Sequence, residues 1–436
     1  MSDYIVTDCT PVSTTSFSTD ERVDIEIRDG LIDSIVPAGE GDLAAFDDDQ
    51  QFDAEGRLVS PTLVEPHTHL FTALTAGVPE WNESATLEEG WRLWENQTRD
   101  MMAKSDYKRR ARKVLRWFLA NGITRVRTHI DVNSDDDAFV GVEALLEIQE
   151  EFEGLVDLQI VAFPMSCLHT GDEALIDRFE RSLEMGVDVA GGIPHREHIR
   201  EDGVQHVRTV LDAAEKFDCQ ADLHIDETDD PQSRYTEVLA SETAQRGLGD
   251  RVTASHTTAL HSYSNAYADK LIRMIAESGL NVVTNPMANA VLQGRYDDYP
   301  RRRGHTRIKE LRDAGVTVGM GQDDIVDHFH SYGDGDPLKT AFVLVHFAHM
   351  NGPDDVPLLW DMLINGNAHV YGADDNELAE GAAGSLVVYD SQTAFDTLRR
   401  QPNRPLVLRD GRPVAQSRST TSVVADGEKQ VVDFGR

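Results

Sequence analysis

Ser60-Pro61-Thr62-Leu63-Val64-Glu65-Pro66-His67-Thr68-His69 is an apolar run closed by two imidazoles. Residues i and i+2 of a strand face the same side, so His67 and His69 look into one cavity. A His-x-His pair alone says little in a chain with 16 histidines. Here it recurs in kind: later β-rich runs end at His224 (Asp222-Leu223-His224), at His256 (Thr253-Ala254-Ser255-His256) and, after Val316-Thr317-Val318-Gly319, at Gln322-Asp323-Asp324. A parallel barrel gathers the C-terminal ends of its strands around one pocket, and this pattern is what such a barrel requires.

Further runs at residues 123–129, 158–164, 187–193 and 281–284 bring the number of strands to eight, with helical periodicity between them, as at 140–148. The alternation predicts an α/β fold, a (β/α)8 TIM-type barrel, over residues 58–380. Residues 1–57 and 381–436 read differently. Val23-Asp24-Ile25-Glu26-Ile27-Arg28 alternates up to the turn Asp29-Gly30, and Pro405-Leu406-Val407-Leu408-Arg409 does the same before Asp410-Gly411. Thr421-Ser422-Val423-Val424 continues the pattern. The two ends are expected to form one small antiparallel β-sandwich domain.

With 41 basic and 77 acidic residues the formal charge is −36, which disfavours nucleic acid and anionic membranes as partners. Only eight of the basic residues are lysine. Acid-rich, lysine-poor composition resembles that of halophilic proteins, whose self-repulsion is relieved when molar salt shortens the Debye length to about 3 Å. Cys9, Cys167 and Cys219 are widely spaced and form no Cys-x-x-Cys pattern, so neither disulfides nor a thiolate metal site is expected. The N-terminus lacks a basic start and an apolar core, and no run approaches the ~20 apolar residues of a spanning helix. A cytoplasmic location follows as the expectation.

Three imidazoles, His67, His69 and His224, with the Asp323 carboxylate would hold one divalent ion and leave a position for water, whose pKa such an ion lowers to about 7. Glu227, just beyond the strand carrying His224, is placed for proton transfer, and His256 for orienting the hydroxide or stabilising the tetrahedral intermediate. The competing readings are core histidines for His224 and His256 and helix caps for Glu227, Asp323 and Asp324. His129 and His195 also end strand-like runs and read as structural neighbours of the site.

From about Leu58 to about Arg400 the chain resembles the cytosine deaminase family of the amidohydrolase superfamily. The matching strings are Val64-Glu65-Pro66-His67-Thr68-His69, Val126-Arg127-Thr128-His129, Asp157-Leu158-Gln159-Ile160-Val161-Ala162-Phe163-Pro164, Val252-Thr253-Ala254-Ser255-His256-Thr257-Thr258-Ala259, Leu292-Gln293-Gly294-Arg295 and Gln322-Asp323-Asp324. The resemblance implies one Fe(II) or Zn(II) on His67, His69, His224 and Asp323, with Glu227, His256 and Asp323 catalytic. It implies hydrolytic deamination of a small heterocycle, cytosine or a modified cytosine, a place in pyrimidine salvage, and a homo-oligomer. Leu87, Asp324 and Phe329 fall where the family contacts substrate.

Four positions depart from the family. Met165 stands where a glutamine amide reads the polar edge of the pyrimidine, Phe71 replaces an Asp, Gln322 a His and Phe329 a Trp. A thioether donates no hydrogen bond, and losing a buried polar partner costs about 1–3 kcal/mol. The ring is therefore expected to be less polar at the edge facing Met165, with isoguanine, creatinine or an aminotriazine as alternatives. No lysine is available in Val189-Ala190-Gly191-Gly192-Ile193-Pro194 to bridge two metals, which disfavours ring-opening hydrolysis.

Overall fold

The computed structural model describes residues 3–17, 21–132, 139–171, 174–373, 376–418, 420–425 and 428–432. Met1, Ser2 and residues 433–436, included in the expected terminal segments, lie outside them.

The chain opens with strands β1 (Tyr4–Pro11), β2 (Val23–Arg28), β3 (Leu31–Pro37), β4 (Gln51–Asp53) and β5 (Leu58–Pro61). Eight parallel strands follow: β6 (Leu63–Thr68), β7 (Ile123–Asp131), β8 (Asp157–Phe163), β9 (Val189–Gly192), β10 (Gln220–Ile225), β11 (Val252–His256), β12 (Asn281–Thr284) and β13 (Val318–Met320). They pair in sequence order, and a parallel bridge between Thr68 and Asp323 brings the last strand round to the first. This is the expected TIM-type barrel, with every anticipated strand present. The closing seam is made by Asp323 N donating to His67 O at 2.8 Å and His69 N donating to Asp323 O at 3.1 Å.

The opening stretch is divided between two sheets. Leu58–Pro61 pairs with β1 and with β14 (Leu386–Val388), and the barrel begins at Leu63, after the expected changeover at 57/58. Pro66 explains how the strand tolerates a proline. It sits where the β6–β7 register shifts between Glu65 and Thr68, and a bulge is a place in a strand that needs no ladder donor.

The second sheet runs β16 (Arg412–Gln416), β15 (Leu406–Arg409), β14, β5, β1, β2, β3, with β4 beside β1. Ile25, Ile27 and Val6 from one half pack with Val59, Leu386, Val388 and Leu408 from the other, so the sheet folds over its own core as a small sandwich. Two details differ from the expectation. β1 pairs in parallel with β4 and β5, and Ser422–Ala425 forms a separate hairpin with Glu428–Val431. Alternation marks a strand but not its partner, so neither could be read in advance.

Among the described residues no helix is long and apolar enough to cross a membrane. Many basic residues on the surface are already engaged, as in Lys104 with Glu143 and Glu147, and Arg246 with Asp212 and Glu215. The acidic excess is left to repel itself. We therefore expect the melting temperature to be lower in dilute buffer than in 2 M KCl. An unchanged value between the two would contradict the halophilic reading.

Candidate functional site

At the C-terminal mouth of the barrel five imidazoles pack together. The His67 ring lies 5.3 Å from that of His69, 4.2 Å from His129, 4.6 Å from His224 and 5.0 Å from His256. Asp323 joins them, its Oδ1 lying 3.1 Å from His69 Nε2 and 3.5 Å from His67 Nε2. His256 and Asp323 hold positive φ values of 72° and 63°, a backbone strain that non-glycine residues keep at functional sites.

The donor set fits a cation. His69 Nε2 and His224 Nε2 are 3.0 Å apart, and two neutral imidazole nitrogens at that distance conflict unless one donates or both face a common ion. Both ring nitrogens of His67 and Nδ1 of His224 are buried without a hydrogen-bond partner. Metal–ligand bonds of about 2.0–2.2 Å put neighbouring donors roughly 3–3.5 Å apart, the spacing seen here. The four donors lying within 4.8 Å of one another are His67, His224, His256 and Asp323, while His69, expected as the third imidazole, groups with His67 and His129 and with Asp323 and Asp324. His129 stacks on His69 at 4.9 Å and groups with His67 and His69, closer to the centre than a purely structural neighbour. His195 is buried against the backbone of His224, as a neighbour of the site.

Below the imidazoles Asp222 is fully buried, accepting from Ser255 Oγ at 2.6 Å and Arg127 Nη1 at 3.4 Å. It lies 3.9 Å from both His67 Nδ1 and His129 Nε2. Glu65 accepts from the peptide nitrogens of His67 at 3.1 Å and Gln322 at 3.0 Å, linking the two ligand-bearing strands. Burial pushes its carboxyl up to about 8.

Glu227 is aimed inward by its neighbour. Asp226, with φ 51°, accepts from Tyr235 N at 3.0 Å and Thr236 N at 2.8 Å, pinning the chain to the helix that follows. Glu227 Oε1 accepts from Asn289 Nδ2 at 2.8 Å and lies 3.5 Å from His256 Nδ1. Burial, reinforced by the Asp323 charge, holds Glu227 well above the usual carboxylate range. Burial and Asp323 do the same to Asp324. For Asp323 burial pushes upward, but His256, His67 and His69 outweigh it and hold the carboxyl well below that range. Burial takes His256 down to about 3.

A small, partly open cavity lies beside this cluster. His69, Thr72, His224, Glu227, Asp323 and Asp324 supply its polar lining; Phe71, Leu87, Trp91, Phe163, Met165, Ile193, Leu292 and Phe329 supply the rest. All four residues expected to contact substrate, Leu87, Met165, Asp324 and Phe329, are therefore in its walls. Leu87 and Trp91 come from α1 (Leu87–Leu93), which Thr86 caps by accepting from Glu89 N. The helix meets Phe329 at Gly90, where an added Cβ would come within 2.6 Å of the ring. Sequence reasoning passed over Asn285, Asn289, Asp222 and Glu65. The i, i+4 spacing of Asn285 and Asn289 just past β12 is the one signal that pointed to them.

Residues 84–415 match the Amidohydrolase family, and the chain belongs to it. Among solved structures, 5-methylcytosine deaminase from Klebsiella pneumoniae liganded with 5-fluorocytosine is 38% identical with a TM-score of 0.89, covering 95% of this chain and 98% of that one. N-isopropylammelide isopropyl amidohydrolase of Pseudomonas sp. (strain ADP) is 28% identical, with 84% of this chain and 88% of the relative matched. Pterin deaminase of Rhizobium rhizogenes is also 28% identical, over 91% of this chain and 88% of the relative. The protein is thus a hydrolase of the amidohydrolase type with a His/Asp cluster suited to a divalent metal.

Proposed function

We propose that the protein hydrolytically deaminates an amino-substituted nitrogen heterocycle, with cytosine or a 5-substituted cytosine as first choice. One observation carries this reading: Glu227, Asp323 and Asp324 line a cavity whose remaining lining is mostly aromatic and aliphatic, with His256 behind them at 3.5 Å from Glu227 and 3.8 Å from Asp323. Such a pocket accepts a flat ring and presents its reactive edge to titratable groups.

His67, His69, His224 and Asp323 would hold the ion, Fe(II) or Zn(II), with His256 beside them. When bound, a divalent ion supplies a water acidified to about pKa 7. Asp323 would be placed to accept a proton from such a water. Glu227 delivers a proton to the ring nitrogen next to the attacked carbon, and Asn289 keeps its carboxylate oriented. His256 orients the attacking hydroxide or stabilises the tetrahedral adduct, and Asp324 faces the departing amino group. A C–O bond forms, the proton taken up by Asp323 passes to the amino nitrogen, the exocyclic C–N bond breaks, and the proton of the added hydroxyl restores Glu227, giving the oxo ring and ammonia.

The likeness to a cytosine-analogue complex supports the pyrimidine. The N-isopropylammelide relative favours a triazine as second choice. Ammonia release in molar KCl after loading with Fe(II) or Zn(II) tests both, using cytosine, 5-methylcytosine, isoguanine, creatinine and aminotriazines. Turnover of another ring with silence on cytosines would replace the substrate; silence on all would end the aminohydrolase reading.

Met165 is buried in the cavity wall and offers no side-chain donor. Restoring an amide with Met165→Gln is expected to raise kcat/KM on cytosine about tenfold or more, the worth of one buried hydrogen bond. A fall on cytosine would show that the wall is shaped for an apolar contact.

A further inference from the structure

Glu197 lies just past β9, and its carboxylate is saturated with donors. Oε1 accepts from Leu168 N at 2.6 Å, His169 N at 3.0 Å and His206 Nδ1 at 2.9 Å. Oε2 accepts from Thr170 N at 3.0 Å and Thr170 Oγ1 at 2.8 Å. Three successive peptide N–H groups of the loop after β8 thus close on one side chain. That loop begins Pro164-Met165.

His206, from the helix Arg200–Lys216, extends the chain of contacts. Its Nδ1 proton goes to Glu197, which leaves Nε2 to accept from Ile193 N at 3.1 Å. The ring sits tight against the strand end, since a Cβ on Gly192 would come within 2.5 Å of Nε2. Arg196 fastens the same region, donating to Met165 O, pairing with Glu95 at 2.7 Å and lying 4.5 Å over the Trp91 ring. Glu197 and His206 do not line the cavity, yet His206 holds Ile193 and Glu197 holds the loop three residues beyond Met165, and Met165 and Ile193 both line it.

We propose that Glu197 and His206 are positioning residues that hold Met165 and Ile193 as one rigid apolar wall against the substrate ring. This rests on the deaminase reading above. Glutamine at 197 keeps the size but replaces one of the two accepting oxygens with an NH2 group, which cannot accept from a peptide N–H. Glu197→Gln is expected to raise KM about tenfold, comparable to a lost apolar contact in a pocket, while kcat stays within about threefold and metal per chain is unchanged. Hydrogen exchange at amides 168–170 should accelerate. Met165→Ala should raise KM by itself, and adding Glu197→Gln should have no further effect, because both changes act on one wall.

A fall in kcat with KM unchanged, or additive effects in the double variant, would overturn the positioning role. So would amides 168–170 that remain protected in Glu197→Gln. Failure of the deaminase reading shows separately, as a parent enzyme that releases ammonia from no ring; the exchange rates then decide whether the wall is held as described.

Discussion

Glu227→Gln is expected to lower kcat/KM by about 10²- to 10⁴-fold, the usual contribution of a positioned acid or base, with the metal content unchanged. Glutamine fills the same space and can still meet Asn289, which donates to Glu227 Oε1 at 2.8 Å. What it loses is the ability to carry a proton. The carboxyl is buried and faces the charged Asp323, conditions that keep it protonated and ready to donate. Kinetics on the best ring together with metal analysis decide the matter. Near-normal turnover would remove Glu227 from proton transfer, and loss of metal would make it a ligand.

Asp323→Asn tests the metal centre with comparable force. Asp323 Oδ1 lies 3.1 Å from His69 Nε2 and 3.5 Å from His67 Nε2, so its negative charge is the main local counterweight to a cation among imidazoles. An amide keeps the shape and loses the charge. Metal per chain should fall to near zero, activity should vanish, and the melting temperature should drop. An ion present at a thousandfold its dissociation constant stabilises the folded state by about 4 kcal/mol, and that contribution disappears. Chelation of the parent should produce the same drop, and refilling with Fe(II) or Zn(II) should reverse it. A variant that retained full metal would place the negative ligand elsewhere.

The barrel was legible because two periodicities coincided. Strand-like runs alternated with helical ones, and several ended in a histidine or an aspartate. The structure brings those ends together, and Glu227 with them. The terminal sheet was legible as strands and not as a pairing scheme, since β1 runs parallel to β4 and β5. Supporting residues were harder to see. Glu65 and Asp222 act through backbone amides and buried neighbours far away in sequence, and no local pattern encodes such partners. Glu197 is the clearest case: in sequence it is one more acid in an acidic chain, and only folding places it under the loop at Leu168 to Thr170.

The seam where β6 meets the end of β13 bears on how the protein is made. The peptide of Asp323 closes the barrel on His67 and His69, while its side chain faces the same two imidazoles. Closure and completion of the ligand set are therefore one event, and 255 residues separate Thr68 from Asp323. A ribosome-bound chain exposes its first histidine pair long before the aspartate emerges. Until then the nascent protein has only a partial, open site, so full metallation belongs to the last stage of biosynthesis.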